Sequence, residues 1–308
     1  MAPSRAPAAH PPRRLVVQPL GGLANRLRVV ASAAIAAAAG GRELRLRWTI
    51  DGACGADWSE LFENPIARAD GAPSAEARRY DRGPVNFAVP GPGDAADDPE
   101  PVVEIATFFQ FKPRAMPMAS FLAAKAAFYR SLTPVAPVRR ALEELIAREF
   151  AGRPVVGVHI RRTDLVLAGT PPAVISPTAR FLRRMRERVA AEPATRFFLA
   201  TDDREEEERL AATFPGRVFT HPKRSLDRAR VEALQDALVD WLALGRCDRI
   251  LRSAGTSFSR EAALAGGVPR ETIRRPLWPY DRPRFWLEAL RRRLAVVRRR
   301  LGARRAAS

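Results

Sequence analysis

Short apolar runs and a longer helical stretch alternate near the amino end. Residues 15–18 (LVVQ) are a run of the kind that forms a buried strand, and a Pro-Leu-Gly-Gly turn follows. The alanine-rich segment from about 24 to 39, stopped by two glycines, predicts a helix. Residues 44–48 then alternate apolar and polar positions, as a half-buried strand does. The pattern predicts a unit of strand, glycine turn, helix and strand.

The periodicity weakens from residue 51 to about 118, and a helix over 119–130 is predicted at the end of this stretch. Residues 132–138 hold Pro134 and Pro137, which interrupt regular structure, so this segment is the predicted linker. Because 308 residues exceed the size at which one core is comfortable, we expect two domains, over 13–135 and 136–275. Residues 1–12 are the predicted tail, and 276–308 the predicted basic helical extension.

Strand and helix patterns alternate regularly beyond the linker. The predicted strands cover 155–160, 196–200, 217–220 and 249–251, and the predicted helices 138–150, 178–190, 203–214, 231–245 and 257–265. Alternation of this kind is typical of a parallel, doubly wound sheet. The fold class predicted is therefore α/β.

Composition adds a strong positive charge. The formal net charge is +18 and the pI about 11.4, which favours an anionic partner, although an arginine excess beside abundant alanine and proline is also typical of GC-rich coding. Near the carboxyl end, two arginine triplets at 291–293 and 298–300 share a stretch with Leu290, Leu294, Val297 and Leu301. Such a helix could lie on an anionic membrane; the alternative is a solvated tail.

Several features indicate a soluble, cytoplasmic protein. The longest uncharged apolar run, 29–41, is shorter than the roughly 20 residues that span a bilayer, and the amino end lacks the apolar core of a secretory signal. Cys54 and Cys247 lie far apart in sequence, which argues against a disulfide framework or a cysteine-based metal site. Peripheral contact with the inner membrane, through the basic extension, is the accompanying expectation.

Candidate chemistry lies just after the predicted strands, because ligands bind at the carboxyl ends of parallel strands. Gly21 and Gly22, followed by Asn25, permit a tight turn before a helix whose first amides favour an anion. The motif matches neither the dinucleotide pattern nor a Walker loop. A purely structural turn is the alternative.

Residues 159–164 (HIRRTD) directly follow the apolar residues 155–158. Adjacent residues of an extended chain point to opposite sides, so one of Arg161 and Arg162 is expected to face the ligand and the other to brace the loop, with Asp164 as its candidate partner. The fixed fork of arginine donors suits a diphosphate. A surface ion pair is the alternative interpretation.

An aspartate pair follows the next predicted strand. Asp203 is a natural helix N-cap, and that interpretation is favoured over a ligand-binding one. Asp202 and Asp203 together could also hold a metal, but they lack the Asp-x-Asp spacing of metal-dependent transferases. No catalytic metal is predicted.

The last candidates lie near the carboxyl end of the second half. Asp236 and Asp240, four residues apart, belong to a stripe typical of a solvated helix face, yet the apolar neighbours of Asp240 favour its partial burial, which would require a donor partner. Thr256 and Ser257 offer hydroxyls and amides to a phosphate at the next helix start. Nucleophilic catalysis finds little support in the sequence.

Taken in chain order, these motifs resemble those of the GDP-fucose-dependent fucosyltransferase superfamily, with its α1,6-fucosyltransferases, nodulation fucosyltransferase and protein O-fucosyltransferases. The HIRRTD element is the most specific, and the match covers most of residues 14–268. The resemblance implies a bacterial member with a GT-B architecture, two Rossmann-like domains facing a cleft, and GDP on the carboxyl-terminal one. It implies an inverting, metal-independent transfer of fucose, or a related sugar, to a glycan or glycolipid hydroxyl.

The resemblance also implies roles for single residues. Arg161 would contact the β-phosphate with support from Arg162. His159 and Asp240 would meet the guanine, because a carboxylate can accept hydrogen bonds from its N1–H and its 2-amino group. The remaining residues implied in donor binding are Gly21, Gly22, Asn25, Asp203, Thr256 and Ser257.

One departure from the family concerns the catalytic base. The α1,6-fucosyltransferases carry a lysine after the Thr-Asp pair and a glutamate shortly beyond it, whereas this sequence reads LVLAGT over 165–170. Asp164, or Glu60 if its loop lines the cleft, is the candidate to replace that glutamate as the base. Two alternatives stay open: a non-catalytic sugar-nucleotide or glycan binder with the same fold, and a basic nucleic-acid-binding protein, against which the scarcity of aromatic residues beside the arginines argues.

Overall fold

A computed structural model describes residues 12–71, 78–80, 94–163 and 172–275. The chain divides into two compact units. The first comprises Met1–Val135 with Arg228–Leu234, and the second Ala136–Asp227 with Gln235–Ser308. Each unit is built on its own parallel sheet, so the predicted α/β class with parallel sheets is confirmed.

The first unit has a four-stranded parallel sheet in the order β2-β1-β4-β3. Its strands are β1 (Arg14–Pro19), β2 (Glu43–Leu46), β3 (Arg78–Tyr80) and β4 (Val102–Thr107), and its helices are α1 (Leu23–Ala39) and α2 (Met118–Ser131). A short 3-10 helix spans Trp58–Glu60. The unit of strand, glycine turn, helix and strand is therefore present at the amino end, as predicted.

Strand β4 is a neighbour of β1 in the middle of the sheet, yet no strand was predicted there. Its apolar run is broken by Glu104, which is buried and paired with Arg47 at 3.1 Å between Nη2 and Oε1. A carboxylate in a buried strand needs such a partner, and the partner lies on another segment. The short-range pattern alone could not reveal the strand.

The second unit holds a five-stranded parallel sheet in the order β7-β6-β5-β8-β9. The strands are β5 (Val155–Ile160), β6 (Arg196–Thr201), β7 (Val218–Phe219), β8 (Arg249–Ser253) and β9 (Arg270–Ile273). The helices are α3 (Ala136–Glu149), α4 (Pro172–Ile175), α5 (Thr178–Ala191), α6 (Arg204–Thr213), α7 (Val231–Leu244) and α8 (Phe258–Gly266), the first four residues of α7 being grouped with the first unit. The strand order reverses direction between β5 and β8, which makes their carboxyl ends a topological switch point.

Helices cover both faces of this sheet. On one face, Val156, Val158 and Ile160 of β5 pack with Phe181 of α5 and Leu210 of α6 in the main hydrophobic core. Because side chains alternate along a strand, positions 157 and 159 face the opposite side of the sheet. There Leu244 of α7 lies against Gly157, and Phe258 of α8 stacks on the His159 ring.

The predicted linker contains one isolated β-bridge, between Phe62 and Pro134, and the start of a helix. Two backbone hydrogen bonds, Glu63 to Thr133 and Val135 to Leu61, hold residues 133–135 against 61–63. Helix α3 then begins at Ala136, two residues earlier than predicted, because Pro137 occupies its first turn, where a missing N–H costs nothing. The predicted tail and basic extension lie almost wholly outside the described residues. Among the residues described, no helix has both the length and the apolarity needed to cross a membrane.

Candidate functional site

Arg161 and Arg162 follow β5 directly and have different surroundings. The Nε of Arg161 pairs with Asp202 at 3.0 Å, and 22% of its side chain is exposed. The side chain of Arg162 is only 7% exposed. Arg161 is therefore the more accessible of the two arginines, and its role toward a ligand stays a prediction.

Arg162 is fixed from several elements of the second unit. Its Nε donates to Glu206 at 2.8 Å, Nη2 donates to the Thr178 hydroxyl at 2.8 Å, and Nη1 donates to the carbonyl of Ser176 at 3.2 Å. This guanidinium therefore joins β5 to the starts of α5 and α6. Asp164, suggested from the sequence as its brace and as a catalytic residue, lies outside the described residues.

Asp202, at the end of β6, organises the turn that carries both arginines. One carboxylate oxygen accepts from the backbone N–H of Arg162 at 2.8 Å, and the other accepts from the N–H and the hydroxyl of Thr163. The same carboxylate forms the ion pair with Arg161. Four donors thus converge on one side chain, which fixes the conformation of residues 161–163.

Asp203 has the capping role that the sequence favoured. Its carboxylate accepts from the backbone N–H groups of Glu205 at 2.9 Å and Glu206 at 3.2 Å, at the start of α6. This side chain satisfies amides that have no partner inside the helix. A role in donor binding remains a prediction from the resemblance.

His159 is buried on the sheet face that α8 covers. Its ring stacks on Phe258, with the ring centroids 5.2 Å apart, and Nδ1 shares a 2.8 Å hydrogen bond with the Ser259 hydroxyl. Burial, together with the charges of Arg161 and Arg252, lowers the pKa of His159 to about 3. The imidazole is therefore neutral at physiological pH.

The turn after β8 lies beside the arginine turn. The Ser253 hydroxyl accepts from the N–H of Arg161 at 3.1 Å, which ties the ends of β5 and β8 together. Gly255 adopts φ of +75°, a conformation that glycine enters without strain. The Thr256 hydroxyl accepts from the N–H of Phe258, and Ser257 is the N-cap residue of α8. Arg161, His159, Thr256 and Ser257 are thereby gathered at one edge of one sheet.

Asp236 and Asp240 are buried, so the solvated helix face is the wrong interpretation for them. Burial opposes the charge of Asp236, but hydrogen bonds from His221 and Arg224 outweigh it and lower the pKa to about 2. Asp240 accepts from the Lys223 ammonium at 2.8 Å, which supplies the donor partner that its burial was expected to require. Burial raises the pKa of Asp240, while Lys223 opposes the rise.

The glycine turn of the first unit is held by Arg26, which is fully buried. Arg26 Nε donates to the Gly21 carbonyl at 2.7 Å, and Nη2 donates to Asp51 at 2.7 Å. Gly21 has φ of +78° and Gly22 is the N-cap residue of α1, without a side-chain cap. A Cβ on Gly21 would lie 3.1 Å from Nδ2 of Asn25. The structural interpretation of this turn has a clear basis, and its role toward a ligand stays a prediction.

Glu60, the second candidate for a base, lies in the 3-10 helix of the first unit. Its carboxylate accepts from the N–H of Asp57 at 2.7 Å in a capping box. Within the described ranges, histidine, cysteine, aspartate and glutamate side chains form no group of three that could hold a metal ion.

Sequence reasoning assigned no ligand-site role to several residues that contact the predicted site residues or their neighbours: Ser176, Thr178, Glu206, Lys223, Arg252, Ser253 and Ser259. It weighed Asp202 only as half of a metal-binding pair. Most of them act through contacts with other elements, which short-range patterns do not contain. Two signals were present in the sequence. Asp202 stands at a strand end beside a cap residue, and Arg252 is a charged residue within an apolar strand.

No family model matches the sequence, and a search of curated proteins finds no match. Solved structures do share its fold. The NodZ α-1,6-fucosyltransferase soaked with GDP-fucose aligns with a TM-score of 0.56 at 20% identity, covering 82% of this chain and 92% of that one. A mutant of Arabidopsis thaliana FUT1 in complex with GDP aligns with a TM-score of 0.60 at 16% identity, covering 87% of this chain and 72% of that one.

POFUT1 in complex with GDP-fucose gives a TM-score of 0.54 at 15% identity, covering 84% of this chain and 98% of that chain. All three neighbours are fucosyltransferases. The resemblance drawn from the sequence motifs is therefore confirmed at the level of the fold.

Proposed function

We propose that this chain is a glycosyltransferase that moves fucose, or a related sugar, from a GDP-sugar to a hydroxyl of a glycan or glycolipid. In this proposal the two units form the facing domains of a GT-B enzyme, and the second unit holds GDP. The reaction inverts the anomeric carbon and uses no metal.

One observation carries the proposal. Arg161 is oriented by Asp202 at the switch point of a doubly wound sheet, beside the β8 turn, and its side chain is accessible to solvent. Nucleotides bind at such switch points, and a guanidinium suits the planar array of diphosphate oxygens. The likeness to fucosyltransferases solved with GDP or GDP-fucose supports the same placement.

The chemistry follows from the charge that develops during transfer. As the glycosidic bond lengthens, the leaving GDP gains negative charge and the sugar becomes cationic. Arg161 would stabilise the β-phosphate as that charge appears, and it needs little reorganisation because Asp202 already holds its Nε. Thr256, Ser257 and the adjoining turn would hold phosphate oxygens, with the first amides of α8 favouring an anion.

Arg162 contributes indirectly in this mechanism. Its contacts with Glu206, Thr178 and Ser176 fix the turn on which Arg161 is mounted. His159 and Asp240 would recognise guanine. Both are buried polar groups, so a base that does not match their donors and acceptors would leave them without a hydrogen-bond partner and would bind more weakly. The acceptor hydroxyl would attack from the face opposite GDP, with Asp164 or Glu60 as the base.

A thermal-shift screen of nucleotide sugars tests the donor class. A ligand that binds only the native state raises the melting temperature according to its occupancy, so GDP-fucose and GDP should stabilise the protein. UDP- and ADP-sugars should not. Stabilisation by UDP-sugars, or by no nucleotide at all, would overturn the assignment.

Two variants test the role of Arg161 in donor binding. Arg161→Ala should keep the fold and abolish both the GDP shift and transfer to a glycan acceptor. Arg183→Ala is the matched control, because that arginine lies on α5 with 64% of its side chain exposed and should bind GDP like the wild type. Transfer in EDTA should equal transfer in Mg²⁺. Binding of GDP-fucose without transfer to any acceptor would instead favour the non-catalytic binder.

A further inference from the structure

Arg252 is a buried arginine that the proposed mechanism does not use. Only 8% of its surface is exposed, and within the described ranges no carboxylate forms an ion pair with it. Its three nitrogen groups donate to neutral oxygens: Nε to the Ser259 hydroxyl at 3.3 Å, Nη1 to the Thr272 hydroxyl at 3.0 Å, and Nη2 to the Thr256 carbonyl. A buried cation with neutral partners is costly, so the placement invites a functional explanation.

The strand register places Arg252 directly beside His159. His159 on β5 pairs with Arg252 on β8, which in turn pairs with Thr272 on β9. Registered residues of neighbouring parallel strands point to the same face, so the three side chains form a row across the sheet. Helix α8 lies over this row and places the Ser259 hydroxyl between His159 and Arg252.

Hydrogen-bond directions along this row follow from the donor inventory. Arginine only donates, so the Ser259 oxygen accepts from Arg252 and keeps one hydrogen to donate. Among the described residues, the only other partner of this fully buried hydroxyl is Nδ1 of His159. If Nδ1 carried the proton, the serine hydrogen would be buried without an acceptor. The satisfied arrangement has Ser259 donating to a bare Nδ1.

We propose that Arg252 and Ser259 are positioning residues that hold His159 in the Nε2–H tautomer, so that it presents an N–H donor to an acceptor atom of the bound nucleotide. The inference rests on the proposed function for the identity of that ligand. Only 4% of the His159 surface is exposed, and its Nε2 has no hydrogen-bond partner within the described part of the chain. Stacking on Phe258 fixes the ring plane in which this donor lies.

The neutrality of the ring supports the assignment. Burial and the neighbouring guanidinium groups keep His159 unprotonated at physiological pH, so one nitrogen is a donor and the other an acceptor. The relay, which is the chain of hydrogen bonds from Arg252 through Ser259 to His159, decides which ring nitrogen carries the proton. Guanine presents acceptors at O6 and N7, whereas adenine replaces the first by an amino donor, so a fixed N–H would help to select guanine.

Nitrogen NMR of the histidine rings tests the relay without any nucleotide. The chain has three histidines, so ¹⁵N-histidine labelling gives few signals, and the His159→Gln variant assigns the one of interest. In the ligand-free wild type at pH 7, His159 should show a protonated Nε2 and an unprotonated Nδ1. A protonated Nδ1 in the wild type overturns the proposal.

Three variants distinguish the relay from simple packing. Ser259→Ala and Arg252→Met should each lose the single tautomer and give a mixed or Nδ1–H population. Arg252→Gln keeps a donor toward Ser259 without the charge, and it should retain Nε2–H. An unchanged tautomer in Ser259→Ala overturns the relay. If the first two variants fail to fold, the wild-type and Arg252→Gln spectra still decide, because the relay requires Nε2–H in both.

Calorimetric titration with GDP connects the relay to the ligand. Ser259→Ala should bind GDP on the order of tenfold more weakly, the effect expected of one misdirected hydrogen bond. The two proposals fail separately. A wild type that shows Nε2–H but binds no GDP contradicts the proposed function, whereas GDP binding by a protein with Nδ1–H contradicts the relay.

Discussion

Asp202 offers the sharpest test of how the arginine turn is built. Its carboxylate accepts from Nε of Arg161, from the N–H of Arg162, and from the N–H and hydroxyl of Thr163. Asp202→Asn keeps the shape of the side chain, but it removes the charge and turns one acceptor oxygen into an amide donor that faces other donors. The variant therefore disrupts the turn without creating a cavity.

The cost can be estimated from these contacts. Hydrogen bonds to a charged group are worth about 1.5 to 3 kcal/mol each and are not additive, so we expect the unfolding free energy to fall by about 2 to 4 kcal/mol. A domain stability of about 5 to 15 kcal/mol leaves the variant folded. Without its ion pair, the Arg161 guanidinium loses its orientation, and GDP should bind about ten- to hundredfold more weakly, or about 1.4 to 3 kcal/mol.

Urea unfolding and calorimetric titration with GDP measure the two effects. Glu205→Gln is the matched control, because it removes one negative charge from the start of α6, where the side chain is exposed. It should change stability by less than about 0.5 kcal/mol and leave GDP affinity unchanged. If Asp202→Asn binds GDP within about twofold of the wild type, the argument that Asp202 orients Arg161 is refuted.

Three further predictions concern single residues. Arg162→Met should lower the unfolding free energy by about 3 to 5 kcal/mol because it leaves Glu206 as a buried charge without its arginine partner. A loss below about 1 kcal/mol in urea unfolding would contradict the role of Arg162 in fixing the arginine turn. Since the pKa of His159 is about 3, only the unfolded chain takes up this proton between pH 6 and 4. Wild-type stability should therefore fall relative to His159→Gln by up to about 1.4 kcal/mol per pH unit as the pH drops, and a constant difference would exclude a neutral buried imidazole. Gly21→Ala should cost about 1 to 2 kcal/mol because of its φ of +78°, and an unchanged melting temperature would argue against strain at this turn.

Much of the second unit could be predicted from its sequence. Strand β5 has the predicted bounds, 155–160, because a strand buried on both faces is a continuous apolar run flanked by polar residues. Strand β9 was missed, since its four residues, RETI, lie at the sheet edge and only Ile273 is buried. The predicted helices agree to within two residues at either end because turn and cap residues mark their limits.

The site could be predicted only in part. That Arg161 and Arg162 differ followed from the alternation of an extended chain, but the braces of Arg162 come from α5, α6 and the segment between α4 and α5. The burial of Asp236 was likewise hidden, and that of Asp240 was indicated only by its apolar neighbours, because their partners, Arg224 and Lys223, belong to the preceding loop. Contacts between segments decide these features, and a local pattern contains none of them.

The central claim is that Arg161 binds the β-phosphate of GDP without a metal. Calorimetric titration of GDP and GMP in EDTA, with the wild type and Arg161→Ala, measures the coupling between that side chain and that phosphate. We predict that the wild type binds GDP at least about tenfold more tightly than GMP and that the ratio falls close to one in the variant. An equal ratio in both proteins would contradict the claim.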